Sequence, residues 1–308
     1  MTLQQLSYII AVDKFRSFAR AADHCGITQP TLSKMVANLE EELGLRLFER
    51  TNKRVEPTAV GRRVVALAVR TVTDAERIRE LADETRHALT GELRLAVGPS
   101  IAPYLLPEFI RLYGAACPEV SLTVEELRRE NMFDALLEGG IDAAVAIGGH
   151  KREGVLEIPL YEEPFWVYLA ESCRRKLPTF TPELLSHESM WVMKEAQCLR
   201  ESAFSFCKAR ETGRRVYEAG NIDTLIRVVD ANGGFTIIPE MHLPLLTARQ
   251  RENVRPLTGD SLSLRRVSMY IREDYVRERM LNSVIATLGR IIPAHMAGPL
   301  VRKGGVRL

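Results

Sequence analysis

The spacing of apolar residues changes once along this chain, at Leu89-Thr90-Gly91. Before that point apolar residues recur every three or four positions, as they do in amphipathic helices. After it, short apolar strands alternate with helical segments, which favours parallel α/β sheets with crossover helices on their faces. A chain of 308 residues is long enough for two or three domains, each with its own core. We therefore expect a helical N-terminal part followed by an α/β part.

The expected elements of the α/β part follow from this alternation. We expect strands at 93–97, 120–124, 141–147, 165–169, 190–192, 216–219, 235–238 and 267–271, and helices at 103–113, 132–137, 198–209, 222–230 and 274–290. Ligands of such sheets bind beyond the C-terminal ends of the strands. Ser100 follows the first strand, so it is expected to face a cleft, although it suits a plain helix N-cap equally well.

The first forty-five residues contain three helical segments separated by short turns. The first covers 3–13 and the second ends at Gly26, while Thr28 can cap a third in which Pro30 is tolerated. This is the pattern of a helix-turn-helix DNA reader. The outer face of the third helix carries the expected DNA contacts, which are Gln29, Pro30, Thr31, Ser33, Lys34 and Asn38.

A basic hairpin, or wing, is expected directly after these helices. It would cover about 47–58 and carry Arg50, Lys53 and Arg54 around its tip. Residues 46–63 contain six Lys or Arg against two Glu. Such a run alone is more typical of a solvated face. Beside the third helix it favours contacts with the phosphates of double-stranded DNA.

A long helix is expected from Thr58 to about residue 89. Its small and apolar positions alternate four and three apart, the spacing of a coiled-coil seam, at Val64, Ala68, Thr71, Ala75, Ile78 and Ala82. The seam is rich in alanine and therefore weak by itself. Because helix-turn-helix readers usually bind paired half-sites, dimerisation is the most economical use of this helix.

Two cysteines, Cys198 and Cys207, lie at the ends of one expected helix. Cys198 falls at its N-terminus, where the helix dipole favours a thiolate, whereas Cys207 shares an apolar stripe with Leu199 and Ala203. Nine residues of helix would separate their Cα atoms by roughly 13 Å, and a disulfide needs about 4.4–6.8 Å. A bond between them would therefore require the helix to rearrange. Taken alone, both cysteines are better explained as ordinary buried residues.

Composition argues against several classes of protein. The chain is 46% hydrophobic and 27% charged, with a net charge of +2, as in ordinary globular domains. Its five cysteines lack CxxC spacing and do not suit a secreted disulfide framework, so we expect no metal and no cofactor. No apolar stretch approaches the ~18–20 residues of a membrane span, and no signal peptide is apparent. We therefore expect a cytoplasmic protein with reduced thiols.

A set of short motifs runs through the N-terminal region: Ala21-Ala22, Thr28-Gln29-Pro30-Thr31-Leu32-Ser33, Leu39-Glu40, Leu43-Gly44, Leu47-Phe48-Glu49-Arg50 and Pro57-Thr58 followed by Gly61. Together they resemble the N-terminal domain of LysR-type transcriptional regulators. The resemblance implies an all-α winged helix-turn-helix over 1–58, a dimerisation helix over 59–89 and an α/β effector domain over 90–308. That domain would resemble a periplasmic binding protein, with subdomain I at about 91–161 plus 268–308 and subdomain II at about 162–267.

Further motifs occur in the α/β part: Pro103-Tyr104-Leu105-Leu106-Pro107, Cys198-Leu199-Arg200, Phe206-Cys207, Asp223-Thr224-Leu225 and the run 233–239. They resemble the hydrogen-peroxide-sensing, OxyR-type branch of the same family. The resemblance implies that peroxide oxidises Cys198, that Cys207 resolves it to an intramolecular disulfide, and that oxidative-stress genes are then activated. It also implies a peroxide pocket formed by Ser100, Arg129, Gln197, Glu201 and either Arg265 or Arg266.

The same resemblance implies a homo-oligomer, a dimer of dimers, that binds promoter DNA and RNA polymerase and has no membrane partner. The expected pocket departs from the family pattern at three positions. Arg129 or Glu130 stands where a second hydroxyl is expected, Gln197 replaces a frequent histidine, and Glu201 replaces an aspartate. The alternative is a LysR-type regulator that binds a small metabolite in the cleft and has inert cysteines. A peroxide-reducing enzyme is disfavoured by the DNA-binding module, so no catalytic residues are expected.

Overall fold

The computed structural model describes residues 1–50, 55–84, 89–176, 189–193, 214–217, 222–257 and 264–306. The chain forms two compact units. The first comprises Met1–Ala88 together with Leu137–Gly140, and the second comprises Leu89–Leu136 and Ile141–Leu308. The domain limits suggested at residues 58, 161 and 267 stay predictions.

The first unit begins with three helices, α1 (Leu3–Phe15), α2 (Phe18–His24) and α3 (Gln29–Leu43). Local sequence sets their ends, because Thr2 and Ser17 accept capping bonds and Gly44 adopts the left-handed conformation that ends α3. The apolar stripes of the three helices meet in one core, which includes Leu6, Ile9, Val12, Ala21, Ala22, Leu32, Val36 and Leu39. This helical arrangement confirms the expected helix-turn-helix.

A two-stranded hairpin and a long helix follow. Strands β1 (Phe48–Arg50) and β2 (Val55–Pro57) pair antiparallel, and α4 covers Ala59–Glu84. Val65 and Ala68 of α4 are buried in the core of the first unit, so Ala68, expected in the coiled-coil seam, packs within its own chain. Ile78 remains 74% exposed. Helical spacing alone does not distinguish a position that packs in the core of its own chain, such as Ala68, from an exposed position, such as Ile78.

A mixed sheet organises the second unit. Its strands in chain order are β3 (Gly91–Val97), β4 (Val120–Glu126), β5 (Ala143–Ile147), β6 (Val155–Leu169), β7 (Met190–Met193), β8 (Arg214–Tyr217), β9 (Phe235–Pro239), β10 (Val254–Pro256) and β11 (Leu264–Arg272). Among the described residues the order is β4-β3-β5-β11-β6-β9-β7-β8, and β10 pairs with β6. Strand β3 is parallel to β4 and β5, whereas β11 is antiparallel to both β5 and β6. The expected parallel pairing is therefore present for β3 with β4 and β5, whereas the pairing of β11 with its two neighbours is antiparallel, contrary to that expectation.

The long strand β6 links two hydrophobic cores. Its first half supplies Ile158 and Leu160 to a core shared with the helix Ala102–Ala116, and its second half supplies Phe165 and Val167 to another core. The apolar pattern predicts a strand only at 165–169, because charged residues and two prolines interrupt it before that point. Glu163 lies on β6 where the strand passes from the first core to the second.

Helices cover this sheet. They are α5 (Ala102–Ala116), α6 (Arg129–Leu137), α7 (Glu171–Lys176), α8 (Ile222–Asn232), α9 (Ala248–Arg251), α10 (Glu278–Gly289) and α11 (Pro299–Lys303), with a 3₁₀ helix at Glu240–Leu245. Most of the expected elements are present, and the helix expected at 198–209 lies outside the described residues. Within the described part of the chain, no helix combines the length and apolar character needed to cross a membrane.

Candidate functional site

Arg265 and Arg266 are separated by the alternation of strand β11. Only 7% of Arg265 is exposed, whereas the side chain of Arg266 is 51% exposed and pairs with Glu162 at 3.2 Å. Successive side chains of a strand point to opposite faces of the sheet, so only one of the two arginines can face the interior here. The structure therefore separates the two candidates that the sequence left undecided.

The guanidinium of Arg265 joins three elements of the second unit. Its Nε donates to Oε1 of Glu163 at 2.5 Å, and Nη2 donates to the hydroxyl of Tyr104 at 2.8 Å. Nη1 donates to Oγ of Ser100 at 3.3 Å, and Nη2 also contacts the carbonyl oxygen of Ser100 at 3.4 Å. These bonds use four of the five N–H donors of an arginine. Among the described residues, the fifth donor is left on Nη1, beside the Ser100 hydroxyl.

Ser100 is held at this position by the turn that follows β3. The amide of Gly98 donates to the carbonyl of Val145 at 2.9 Å, and the amide of Ile101 donates to the carbonyl of Gly98 at 2.8 Å. Helix α5 starts at Ala102 with Ile101 as its N-cap and without a capping side-chain bond. Ser100 is thus not the N-cap residue, and its buried hydroxyl meets Arg265 instead.

The surroundings of Arg265 are closed and largely aromatic. Tyr104 donates to Oε1 of Glu163 at 3.0 Å and lies 3.0 Å from the hydroxyl of Tyr161. Burial raises the pKa of both phenols well above their ordinary value, so both stay protonated. Burial alone would lower the pKa of Arg265, but the adjacent Glu163 carboxylate opposes it and the pKa is raised overall. The guanidinium of Arg265 therefore stays protonated, as one half of a buried ion pair with Glu163.

A histidine that no sequence motif singles out lies near this cluster. His242 is fully buried in the 3₁₀ helix, and its Nε2 lies 3.3 Å from Oδ1 of Asp223. Neither ring nitrogen has a well-aligned hydrogen-bond partner within the part of the chain that the structure describes. Burial lowers the pKa of His242, and Arg265 lowers it further, while Asp223 acts in the opposite direction. The ring therefore favours its neutral form.

Several expected pocket residues lie elsewhere. Arg129 is half-buried at the start of α6 and contacts Nε2 of His150, not Ser100. Arg266 faces outward with Glu162. Four expected pocket residues lie outside the described residues, namely Gln197, Cys198, Glu201 and Cys207.

The structure thus brings together Ser100 and Arg265, and it adds Glu163 and Tyr104, which sequence reasoning missed. Tyr104 was visible only as part of a motif, and Glu163 only as one of two adjacent glutamates.

The surface of α3 matches the expected DNA-reading face. Leu32, Val36 and Leu39 are buried beneath it. The candidate contacts that are exposed are Gln29, Pro30, Thr31, Lys34 and Asn38, whereas Ser33 is half-buried. Arg50 ends strand β1, and Lys53 and Arg54 lie outside the described residues.

Comparison with known proteins gives matches to both units. The family described as "Bacterial regulatory helix-turn-helix protein, lysR family" matches residues 3–62. The family described as "LysR substrate binding domain" matches residues 86–305. A hydrogen peroxide-inducible genes activator from Dickeya chrysanthemi is 30% identical over 248 residues, which are 79% of this chain and 81% of that protein.

Solved structures of OxyR proteins are similar to most of the chain. A full-length cysteine-to-aspartate variant of OxyR from Pseudomonas aeruginosa has a TM-score of 0.76 and 29% identity, covering 94% of each chain. A cysteine-to-serine variant of Corynebacterium glutamicum OxyR with bound H₂O₂ has a TM-score of 0.59 and 25% identity. That match covers 94% of this chain and 92% of the other.

Proposed function

The chain belongs to the LysR family of bacterial helix-turn-helix regulators, and we propose that it is a transcription activator that senses hydrogen peroxide through Cys198 and Cys207. One structural observation carries the proposal. Within the described residues, the buried Arg265 keeps one N–H donor on Nη1, the nitrogen that also donates to Oγ of Ser100. The N–H group on Nη1 and the hydroxyl of Ser100 are two donors beside the charged guanidinium. Two such donors suit a small oxygen ligand that gains negative charge during its reaction.

The proposed chemistry is a two-electron oxidation of the two thiols. The thiolate sulfur of Cys198 attacks one oxygen of H₂O₂, so an S–O bond forms, the O–O bond breaks and hydroxide leaves. Arg265 and the Ser100 hydroxyl stabilise this departing oxygen, which takes up a proton to become water. Cys207 then attacks the sulfenic sulfur of Cys198, forming the disulfide and releasing a second water. Peroxide is the oxidant, and the two cysteines supply both electrons.

DNA binding is proposed for the first unit. The exposed face of α3, with Lys34 and Asn38, would enter the major groove, and Arg50, Lys53 and Arg54 would contact phosphates. We propose that the protein acts in the cytoplasm as a dimer of dimers and contacts RNA polymerase at the promoter. Oxidation would rearrange residues 198–207 and reset the packing of the subunits, which links the thiols to transcription of oxidative-stress genes.

The deciding experiment is peptide mass mapping of the full-length protein before and after a near-stoichiometric dose of H₂O₂. We expect a Cys198–Cys207 linkage that appears on treatment and disappears with a thiol reductant. Cys198→Ser should abolish the linkage and leave DNA binding intact. Cys25→Ser is the matched control, because the half-buried Cys25 lies in the first unit and should not affect the linkage.

Two results would contradict the proposal. One is that both thiols stay free at a dose that oxidises other reactive cysteines. The other is a normal transcriptional response to peroxide in the Cys198→Ser variant. The first would leave a LysR-type regulator with inert cysteines, and saturable stabilisation by a small metabolite would then identify its ligand. The second would show that the response to peroxide does not depend on Cys198.

A further inference from the structure

We infer that Glu163 is the positioning residue of this site, because it holds the guanidinium of Arg265 in the one orientation that presents Nη1 to Ser100. This inference rests on the proposed function. It adds a residue that does not contact peroxide itself and that acts only through Arg265.

The carboxylate of Glu163 is held from three sides. Its Oε1 accepts from Nε of Arg265 on β11 and from the hydroxyl of Tyr104 on α5. Its Oε2 accepts from the amide of Met241 in the 3₁₀ helix at 3.3 Å. Glu163 is completely buried. With both oxygens bonded and no exposure, the carboxylate has one orientation and can act as a fixed reference for the arginine.

The bonds to Arg265 then determine which edge of the guanidinium is left for a ligand. Glu163 takes Nε, and Tyr104 takes Nη2, so the edge formed by these two nitrogens is occupied. Nη1 is the nitrogen that remains, and it is the one that reaches Oγ of Ser100. An arginine side chain has several rotatable bonds and loses much freedom when it is ordered. Glu163 offsets that loss with a charge-assisted bond.

The chain contains an internal comparison for this arrangement. In the antiparallel pairing of β6 with β11, Arg265 lies opposite Glu163 and Arg266 lies opposite Glu162. The two ion pairs share the same strands and the same residue types. The Glu162–Arg266 pair is about half exposed, and exposed pairs contribute little to a fixed geometry. Only the buried pair can orient a donor in a closed site.

Loss of the Glu163 charge should therefore impair the arginine without removing it. A buried guanidinium without its carboxylate is uncompensated, and we expect it to leave the orientation that serves Ser100. Glutamine keeps the shape of glutamate and can still accept a bond from Nε, so Glu163→Gln is the mildest variant. The thiol of Cys198 is unchanged by this substitution.

The test compares two reactions of Cys198 in the full-length protein, its oxidation by H₂O₂ and its alkylation by iodoacetamide. Alkylation requires the thiolate but no donors for a departing oxygen. We expect Glu163→Gln to lower the peroxide rate by about tenfold or more, since misplaced donors cost rates of this order. The alkylation rate should stay within about twofold. The matched control Glu162→Gln should change neither rate.

Each outcome bears on the inference. A peroxide rate of folded Glu163→Gln within about twofold of wild type would overturn it, and so would an equal fall in both rates. If Glu163→Gln does not fold, Tyr104→Phe replaces it, because that change removes one bond that holds Oε1 of Glu163 and one of the two bonds of Nη2 of Arg265. A ratio of rates equal to wild type in that variant would overturn the inference. If wild-type Cys198 does not react with H₂O₂, both the proposed function and this inference are wrong. If wild type reacts and Glu163→Gln reacts equally fast, only the inference is wrong.

Discussion

The hydroxyl of Tyr104 accepts a 2.8 Å hydrogen bond from Nη2 of Arg265 and donates a 3.0 Å bond to Glu163. It therefore stands between the two charges of a buried ion pair. The hydroxyl of Tyr161 contacts only Tyr104 within this cluster, at 3.0 Å. Although both phenols are buried side by side, their hydroxyl groups have different numbers of charged partners.

Tyr104→Phe should consequently destabilise the second unit more than Tyr161→Phe. The first change leaves a buried cation and a buried carboxylate each short of a partner, which costs about 2–3 kcal/mol, whereas the second removes one neutral bond worth ~1 kcal/mol. Urea unfolding followed by tryptophan fluorescence measures this, because both tryptophans, Trp166 and Trp191, belong to the second unit. Equal losses in the two variants would contradict this hydrogen-bond network.

The buried His242 predicts a pH dependence of stability. Burial, the largest cause, lowers its folded pKa below the ordinary 6.5, and the charge of Arg265 acts in the same direction. The unfolded chain therefore binds more protons than the folded one as the pH falls through 6.5, so the free energy of unfolding falls with it. Stability from this residue is complete above pH 6.5 and is lost below it.

His242→Leu should remove this part of the pH dependence. Neither ring nitrogen has a well-aligned partner among the described residues, so an apolar side chain should be tolerated at neutral pH. Urea unfolding at pH 7.5 and pH 5.5 measures the change, and wild type should lose more stability than the variant. His295→Gln, at an exposed histidine, is the control. An identical pH response of wild type and His242→Leu would refute the assignment.

Gly61 should not tolerate alanine. A Cβ atom at this position would lie 2.0 Å from the carbonyl oxygen of Leu47, which is backbone and cannot rotate away. We expect Gly61→Ala to destabilise the first unit by about 1–3 kcal/mol or more, and to weaken DNA binding with it. The glycine of the Pro57-Thr58 motif thus has a steric explanation, because α4 starts in contact with the backbone that precedes β1.

Gly114→Ala is the matched control for this change. Gly114 lies in α5, where an added Cβ would meet nothing within 4 Å, and alanine there should stabilise the helix by about 0.5–1 kcal/mol. Heat unfolding followed by circular dichroism reports both units, whereas tryptophan fluorescence reports the second. Gly61→Ala should lower only the circular dichroism transition of the first unit. A wild-type melting curve for this variant would refute the predicted clash.

Sequence reasoning could predict which segments form helices and apolar strands, because their periodicity reflects burial. It could not decide between Arg265 and Arg266, since two adjacent arginines on a strand fit either face equally well. The antiparallel register with Glu162 and Glu163 decides it. Such pairing joins residues about a hundred positions apart and leaves no local signal.

The sequence also does not predict which polar residues are buried. Glu163 follows another glutamate and precedes a proline, so its neighbours suggest a solvated loop, yet it is completely buried. His242 lies between Met241 and Leu243, among mostly apolar neighbours, and has no motif of its own. In both cases the environment comes from elements that approach from elsewhere in the chain. Composition and spacing do not contain that information.

The DNA-binding surface leads to a test based on salt. Lys34 is exposed on the outer face of α3, and we expect its ammonium to bind a DNA phosphate in each subunit. Lys34→Ala should therefore reduce the slope of log affinity against log salt concentration by ~0.9 for each phosphate that the protein no longer neutralises. Fluorescence anisotropy with a labelled duplex over a range of KCl concentrations measures the slope. Lys151→Ala is the control, because Lys151 is also exposed but belongs to the second unit. If both variants keep the wild-type slope, α3 does not bind DNA through Lys34. If both variants lower the slope equally, the change reflects the net charge of the protein and not a phosphate contact of Lys34.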